Sequence, residues 1–123
     1  MLEKNLKSNL KNIGNFGEDK AESFLIQRGY KIVTRNFYTK FGEIDIIAKK
    51  KKEIVFCEVK TRTNLKFGRP SEYVNYNKKK HMLKAANYFL YKQNLFDSEI
   101  RFDIIEIYIH KNSVFINHIK DII

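Results

Sequence analysis

At 123 residues and 43% hydrophobic content, the chain has the size and the apolar material for one domain around one core, which argues against a second domain and against a disordered chain. Cys57 is the only cysteine, so an internal disulfide and a multi-cysteine zinc site are excluded and a reducing, cytoplasmic setting is expected. Lys and Arg number 24 against 14 acids, a formal net charge of +10 that favours polyanions, nucleic acid first and anionic membrane as the rival.

Only five of those basic residues are Arg, the side chain whose fork reads guanine edges; contact with nucleic acid is therefore expected mainly at the phosphate backbone. Residues 1–13 carry Lys4, Lys7 and Lys11 with little apolar periodicity and read as a solvated basic arm or a frayed helix ahead of a single domain, 14–123. No continuous apolar stretch follows these lysines, and no later run approaches the roughly 18 residues of a membrane span. A soluble, non-secreted protein is expected.

Ala21, Phe24, Leu25 and Arg28 fall on one helical stripe, with Gly29 placed for a left-handed C-terminal cap; the spacing predicts a helix over 16–28. Residues 30–38, β-branched and aromatic, predict a strand, and Gly42 opens a second over 43–48. The lysine run 49–52 predicts a polar turn. Residues 54–61 predict a third strand whose unbroken apolar start implies burial on both faces and a central place in the sheet. Gly68 and Pro70 mark a loop, Met82, Ala85, Ala86 and Phe89 a second helix over 76–93, and residues 102–109 and 114–119 a closing hairpin across 111–113. Helix, three strands, helix, two strands predicts an α/β domain: a mixed sheet covered by helices.

The chemistry is expected on the second and third strands. If Lys49 pairs with Ile54, paired numbers sum to 103 and Asp45 stands opposite Glu58, while the two-residue period puts Lys60 on the face of Glu58. Two carboxylates held that close repel unless a cation neutralises them, and hard oxygen donors with room for water suit Mg²⁺. Such an ion would polarise a phosphate oxygen and acidify a bound water, with Lys60 orienting that water or meeting the developing charge, which describes phosphodiester hydrolysis. Glu-x-Lys alone says little: Glu18-Asp19-Lys20 matches it on a helix, where i and i+2 do not face each other. The plain alternative for Glu58 and Lys60 is a same-face ion pair on a solvated strand, and Phe56, Cys57 and Val59 argue against a solvated strand.

Glu18, at the edge of the first helix's apolar stripe, reads equally as a metal-site residue or as the fourth position of a capping box begun by Asn15. Glu22 points further toward solvent. Glu43 shares a face with Asp45 and reads either as an assistant to the site or as a strand-end charge, the latter preferred. Arg62, Lys66, Arg69, Lys78, Lys79 and Lys80 could cradle phosphates, the commoner reading being a solvated lysine face. His81, His110 and His118 show no ligand spacing and read as surface residues.

Gly17-Glu18 with Ala21 and Leu25, Gly29-Tyr30, Arg35-Asn36, the run 42–48, the run 56–62, Phe67-Gly68 with Pro70, and Arg101-Phe-Asp103 together resemble the YraN-like family of bacterial proteins. That family belongs to the PD-(D/E)XK nuclease superfamily and is similar to archaeal Holliday-junction resolvases. The resemblance covers about Gly17 to Ile109. It implies a restriction-endonuclease-like core, with Asp45, Glu58 and the Val59 carbonyl as ligands of Mg²⁺ or Mn²⁺ and Lys60 at the water. It also raises Glu18, since an acidic residue of the first helix joins the metal site in the resolvase-like branch. Glu43-Ile44 stands where the superfamily's name has a proline before Asp45. Arg101 and Asp103 acquire no derived role: an intrasheet ion pair and packing against the site are both open.

The expected function is a metal-dependent endonuclease hydrolysing DNA, acting on branched or damaged substrates in repair or recombination, and by analogy with two-fold junctions a homodimer. The alternative is a non-catalytic nucleic-acid-binding or adaptor protein that keeps the fold. A membrane-surface domain ranks last, for want of an amphipathic helix with Trp or Phe anchors.

Overall fold

A computed structural model describes residues 2–63 and 76–123, residues 2–11 as backbone alone. In chain order the elements are α1 (Leu2–Gln27), β1 (Lys31–Thr39), β2 (Gly42–Lys50), β3 (Glu53–Arg62), α2 (Tyr76–Lys92), β4 (Glu99–His110) and β5 (Ser113–Ile119). The strands form one sheet in the order β1-β2-β3-β4-β5. β3 and β4 run parallel, joined by the crossover that contains α2, and the other neighbours are antiparallel. This mixed α/β sheet with helices on it fits a restriction-endonuclease-like fold. No helix among the described residues is long and apolar enough to cross a membrane.

Each helix covers its own face. Ala21 and Leu25 of α1 pack on Ile46, Ala48, Val55, Cys57, Ile105 and Ile107. Met82, Ala85, Ala86, Phe89 and Leu90 of α2 pack on Ile44, Ile47, Ile54, Phe56 and Phe102. β3 is buried on both sides at Ile54, Val55, Phe56 and Cys57, as its apolar run predicts, and is the middle strand. Lys49 pairs with Ile54, the register expected.

Both helices end on a left-handed residue. Gly29 (φ 91°) lets Gly29 N bond Ile26 O (3.0 Å) and Tyr30 N bond Leu25 O (3.0 Å), with Tyr30 and Leu25 in one apolar cluster, which is the Schellman closure. Asn94 (φ 55°) does the same for α2, where Leu95 N reaches Leu90 O at 2.9 Å. The start of α1 differs from the expectation. It begins at Leu2 and not near residue 16, so residues 2–13 are helical backbone continuous with the domain. Asn15 then lies inside the helix and the capping-box reading of Glu18 is lost: an interior residue has no free N-terminal donors to satisfy. The loop expected around Gly68 and Pro70 lies outside the described residues.

Gly17 sits in the middle of α1, where it costs about 1 kcal/mol relative to Ala. A Cβ there would meet Thr61 Oγ1 at 1.8 Å. Glycine is what allows α1 to lie against the end of β3, and so brings Glu18 to the sheet.

Candidate active site

Besides the bulge between Ile32 and Thr34 on β1, the pleat of the sheet inverts further along the β1–β2 pair, and the candidate site is built at that inversion. Arg35 points to the α1 face, where it bonds Asp19 (2.8 Å) and Glu22 (3.0 Å), while Phe37, two residues on, packs against Phe89 of α2. Opposite them on β2, Ile46 belongs to the α1-side cluster and Ile44 to the α2-side cluster. A regular strand keeps i and i+2 on one face. The break passes through Asn36 (φ 53°), a residue type that tolerates the left-handed region, and through Asp45 across from it. Asp45 is thereby turned out of both cores, and its Oδ2 accepts a hydrogen bond from Val59 N at 2.8 Å. The backbone pairing of β2 with β3 ends one residue earlier, at Ile46 with Cys57. The carboxylate of Asp45 thus continues the ladder with a side chain.

On the α2 face, a cavity of about 470 Å³ is lined by Asp45, Glu58, Glu43, Asn77, Lys78 and His81, among others. Glu58 Oε1 forms an ion pair with Lys60 Nζ at 3.0 Å and accepts from Lys78 Nζ of α2. Its other oxygen, Oε2, is buried and has no hydrogen-bond partner among the described residues. Asp45 and Glu58 therefore share a cavity, as the register implies, and Lys60 pairs with Glu58. Lys78, expected only as a phosphate contact, closes on Glu58 as well. Burial raises the Asp45 pKa above its ordinary value, against the pull of the Val59 N–H, Lys78 and Lys60. Burial lowers both Lys78 and Lys60, the latter helped by the charge of Arg62. Every charge in this group is short of solvent.

On the α1 face, a second cavity of about 480 Å³ is lined by Glu18, Asn36, Glu43, Asp45, Val59 and Thr61, among others. Glu18 meets Asp45 here, whereas Glu58 faces the other side of β3. With its amide turned to satisfy both neighbours, the Asn36 nitrogen donates to Glu18 Oε1 (2.9 Å) and Glu43 Oε1 (3.1 Å). Burial and then the charge of Asp45 raise the pKa of Glu18 and of Glu43. Glu43 is more than a strand-end charge: it lines both cavities. Glu22 is held by Arg35 and takes no part in either.

Among the described residues, no three His, Cys, Asp or Glu side chains are gathered so as to hold a metal ion by themselves. Two carboxylates suffice for Mg²⁺, which keeps several waters and commonly binds one or two carboxylates together with substrate phosphate oxygens. The buried, unbonded Glu58 Oε2 beside Asp45 fits that demand, and the two lysines now neutralise Glu58 in a cation's place.

Of the remaining basic residues, Arg62 sits 3.7 Å from Glu106, Lys79 and Lys80 lie in the first turns of α2, and Lys66 and Arg69 fall outside the described residues. Glu106 escaped the sequence reading. It is 1% exposed, stands in parallel register with Lys60, and accepts from Tyr108 Oη (2.6 Å) and Asn117 Nδ2 (2.9 Å). An acid flanked by isoleucines was the available signal, since burying a charge requires partners.

Asp103 and Arg101 form an intrasheet ion pair. Arg101 bonds Asp103 through Nε (2.9 Å) and Nη2 (2.8 Å), Glu53 through Nη1 (2.7 Å) and Tyr30 Oη through Nη2 (2.7 Å). His118 Nε2 lies 2.7 Å from Asp103 Oδ2, its side chain only 7% exposed. The surface reading of His118 is therefore corrected, while His81 and His110 are exposed. A β-hairpin partner strand places His118 diagonally over Asp103, which spacing along one strand does not reveal.

Fold and site together define an α/β domain of the restriction-endonuclease-like kind with an acid and lysine cluster at a break in the sheet. The chain belongs to the family described as uncharacterised protein family UPF0102, whose model matches residues 17–107, in keeping with the YraN-like resemblance. A UPF0102 protein of Caldicellulosiruptor bescii is 54% identical over 116 residues, covering 92% of this chain and 98% of the relative. One from Clostridioides difficile is 48% identical over 113 residues (92% and 97%), and one from Caldanaerobacter subterraneus 42% over 117 residues (95% and 96%).

Proposed function

We propose that this protein is a Mg²⁺- or Mn²⁺-dependent endonuclease that hydrolyses DNA phosphodiester bonds, acting on branched or damaged DNA in the reducing cytoplasm, as a homodimer on two-fold substrates. The observation that carries the reading is the meeting of Asp45, Glu58 and Lys78 in one cavity, with Lys60 ion-paired to Glu58 and a buried Glu58 oxygen left without a hydrogen-bond partner among the described residues. The net charge of +10 supports a polyanionic substrate.

Asp45, Glu58 and the Val59 carbonyl would hold the ion, with Glu18 reaching it through water or not at all. The bound ion would supply Lewis acidity toward a phosphate oxygen and a more acidic water. Lys60, kept beside Glu58 and lowered by burial, is placed to orient the attacking water and to give or take its proton. Lys78 could leave Glu58 for the incoming phosphate, freeing the Glu58 oxygen that it now occupies while Lys60 stays. The Val59 N–H fixes Asp45, and Asn36 fixes Glu18 and Glu43.

A panel of linear, flap and four-way DNA with Mg²⁺, Mn²⁺ or EDTA tests this. Cutting is expected with either metal and not with EDTA, and Lys60→Ala or Asp45→Asn should reduce it by at least about a hundredfold with the fold retained. Activity that survives both substitutions would sink the assignment. A second reading, a nucleic-acid-binding protein without catalysis, is favoured by the two lysines that already neutralise the charge of Glu58. Salt-sensitive binding with no metal-dependent cutting on any substrate would select it.

A further inference from the structure

The solvent face of α2 carries a track that begins in the candidate site and runs on beyond the residues the site uses. Lys78, His81, Lys84, Tyr88 and Tyr91 follow one another at three- and four-residue spacing, a continuous stripe beside the buried one formed by Met82, Ala85, Ala86, Phe89 and Leu90. Thirteen residues of helix rise about 20 Å. The track starts in the candidate site, where Lys78 and His81 line its cavity, and ends in a separate depression of about 490 Å³ lined by Phe41, Lys84, Asn87, Tyr88 and Tyr91.

Its chemistry is aromatic and cationic. Tyr91 is 65% exposed, a costly placement for a large ring, and Tyr88 is 39% exposed. Both rings are braced from behind: Tyr88 lies 6.2 Å from Phe37 and Tyr91 6.0 Å from Phe96, so they are held in place in advance. Lys84 and Lys40 stand over the Phe41 ring at 5.5 Å and 5.1 Å, and Lys92 over Tyr88 at 5.6 Å. The turn that presents Phe41 is fastened by Thr39 Oγ1, which accepts from Phe41 N and Gly42 N. α2 contains five lysines and neither Asp nor Glu.

Buried duplex bases offer no ring faces to such a surface, whereas unpaired bases do. Exposed rings interleaved with ammonium groups along a line are the recognition chemistry of a single strand: bases stack on the rings and phosphates meet the lysines. We propose that the Lys78-to-Tyr91 track with Phe41 binds an unpaired nucleic-acid strand and leads it to or from the candidate site. This rests on the nuclease reading for the address of the strand, here the unpaired arm of a branched DNA, and names the substrate feature that the site would select.

The test is equilibrium binding of the full chain to a labelled single-stranded DNA and to a duplex of the same length, in EDTA so that nothing is cut. Tyr91→Ala should weaken single-strand binding about tenfold and duplex binding less than about twofold, with Tyr91→Phe restoring it. Lys84→Ala should weaken both and reduce the salt slope by about one. The chain has no Trp, so quenching of tyrosine emission by the single strand, diminished in Tyr91→Ala, reports stacking directly. Unchanged affinity in Tyr91→Ala, equal loss on both substrates, or conversion of a dimer to a monomer by that substitution in sedimentation would each overturn the proposal. A wild-type chain that cuts nothing while Tyr91→Ala loses single-strand binding would leave the track standing and remove the nuclease reading alone.

Discussion

Two buried acids on neighbouring parts of one sheet have been given opposite surroundings. Asp103, fully buried on β4, is surrounded by donors: Arg101 twice, His118, and the backbone N–H of Asp121. Burial alone would raise its pKa, and those hydrogen bonds outweigh it and hold it below the ordinary value. Asp45 has one backbone donor and two lysines shared with Glu58, and burial wins, so its pKa rises. A carboxylate whose lone pairs are all met contributes to the fold. One that is left wanting costs stability and persists where a ligand completes it.

The largest effect is expected from breaking the satisfied acid. Asp103→Ala strands Arg101 and His118 in a desolvated pocket and releases the chain end at Asp121, a loss of about 3–5 kcal/mol. Denaturant melts of this variant check the size. The sign with pH also follows. A lowered folded pKa means that the Asp103 contribution is complete above the unfolded value near 3.8 and is lost as pH falls through the lower folded value. Acid unfolding should therefore shift to higher pH in Asp103→Asn. A variant as stable as the parent would show that the network does not hold the hairpin.

The same contrast explains what could be read from the sequence. The β2–β3 register was legible because the lysine run 49–52 fixes a turn and one paired position sets all the others. From it the shared cavity of Asp45 and Glu58 followed, and the two-residue period added the Lys60–Glu58 pair. The split of the acids between two faces was not legible, because the parity argument assumes an unbroken pleat, and the left-handed Asn36 that breaks it is one residue in a plausible strand. His118 was missed for a related reason, its partner Asp103 standing on the neighbouring strand, and Glu106 because Asn117 of β5 completes what its own-strand donor Tyr108 begins. The first helix was read short because Lys4, Lys7 and Lys11 suggested a solvated arm, although Leu2, Leu6, Leu10 and Ile13 recur at helical spacing and were the signal for a helix continuous with residues 16–27.

A smaller effect tests how α1 delivers Glu18 to the unsatisfied group. Gly17→Ala gains about 1 kcal/mol of helix propensity and loses more, about 1–3 kcal/mol, because the new methyl overlaps Thr61 Oγ1. Combining it with Thr61→Ala removes the overlapping hydroxyl and should recover most of the loss, as a double-mutant cycle would record. Additive behaviour of the two changes would show that the close approach of α1 to β3 is not what the glycine serves.

The smallest effect has the opposite sign and sharpens the comparison most. Asp45→Asn keeps an oxygen for the Val59 N–H and deletes a charge that burial disfavours, so it should stabilise the fold by roughly 1 kcal/mol at neutral pH. The raised folded pKa sets the direction: the native state takes up a proton more readily than the unfolded chain, and the parent regains stability as pH falls through that raised value toward 3.8. The advantage of Asp45→Asn should accordingly shrink on acidification, while that of the parent over Asp103→Asn shrinks in the lower window set by a lowered pKa. Melting temperatures of the three proteins across pH 3–8 would show the two variant curves approaching the parent's from opposite sides as pH falls, Asp45→Asn in the higher window and Asp103→Asn in the lower. A stabilised Asp45→Asn that also loses a calorimetric Mn²⁺-binding signal would tie the strain to the ion, and a destabilised one would mean that Lys60 and Lys78 already make Asp45 a structural acid like Asp103.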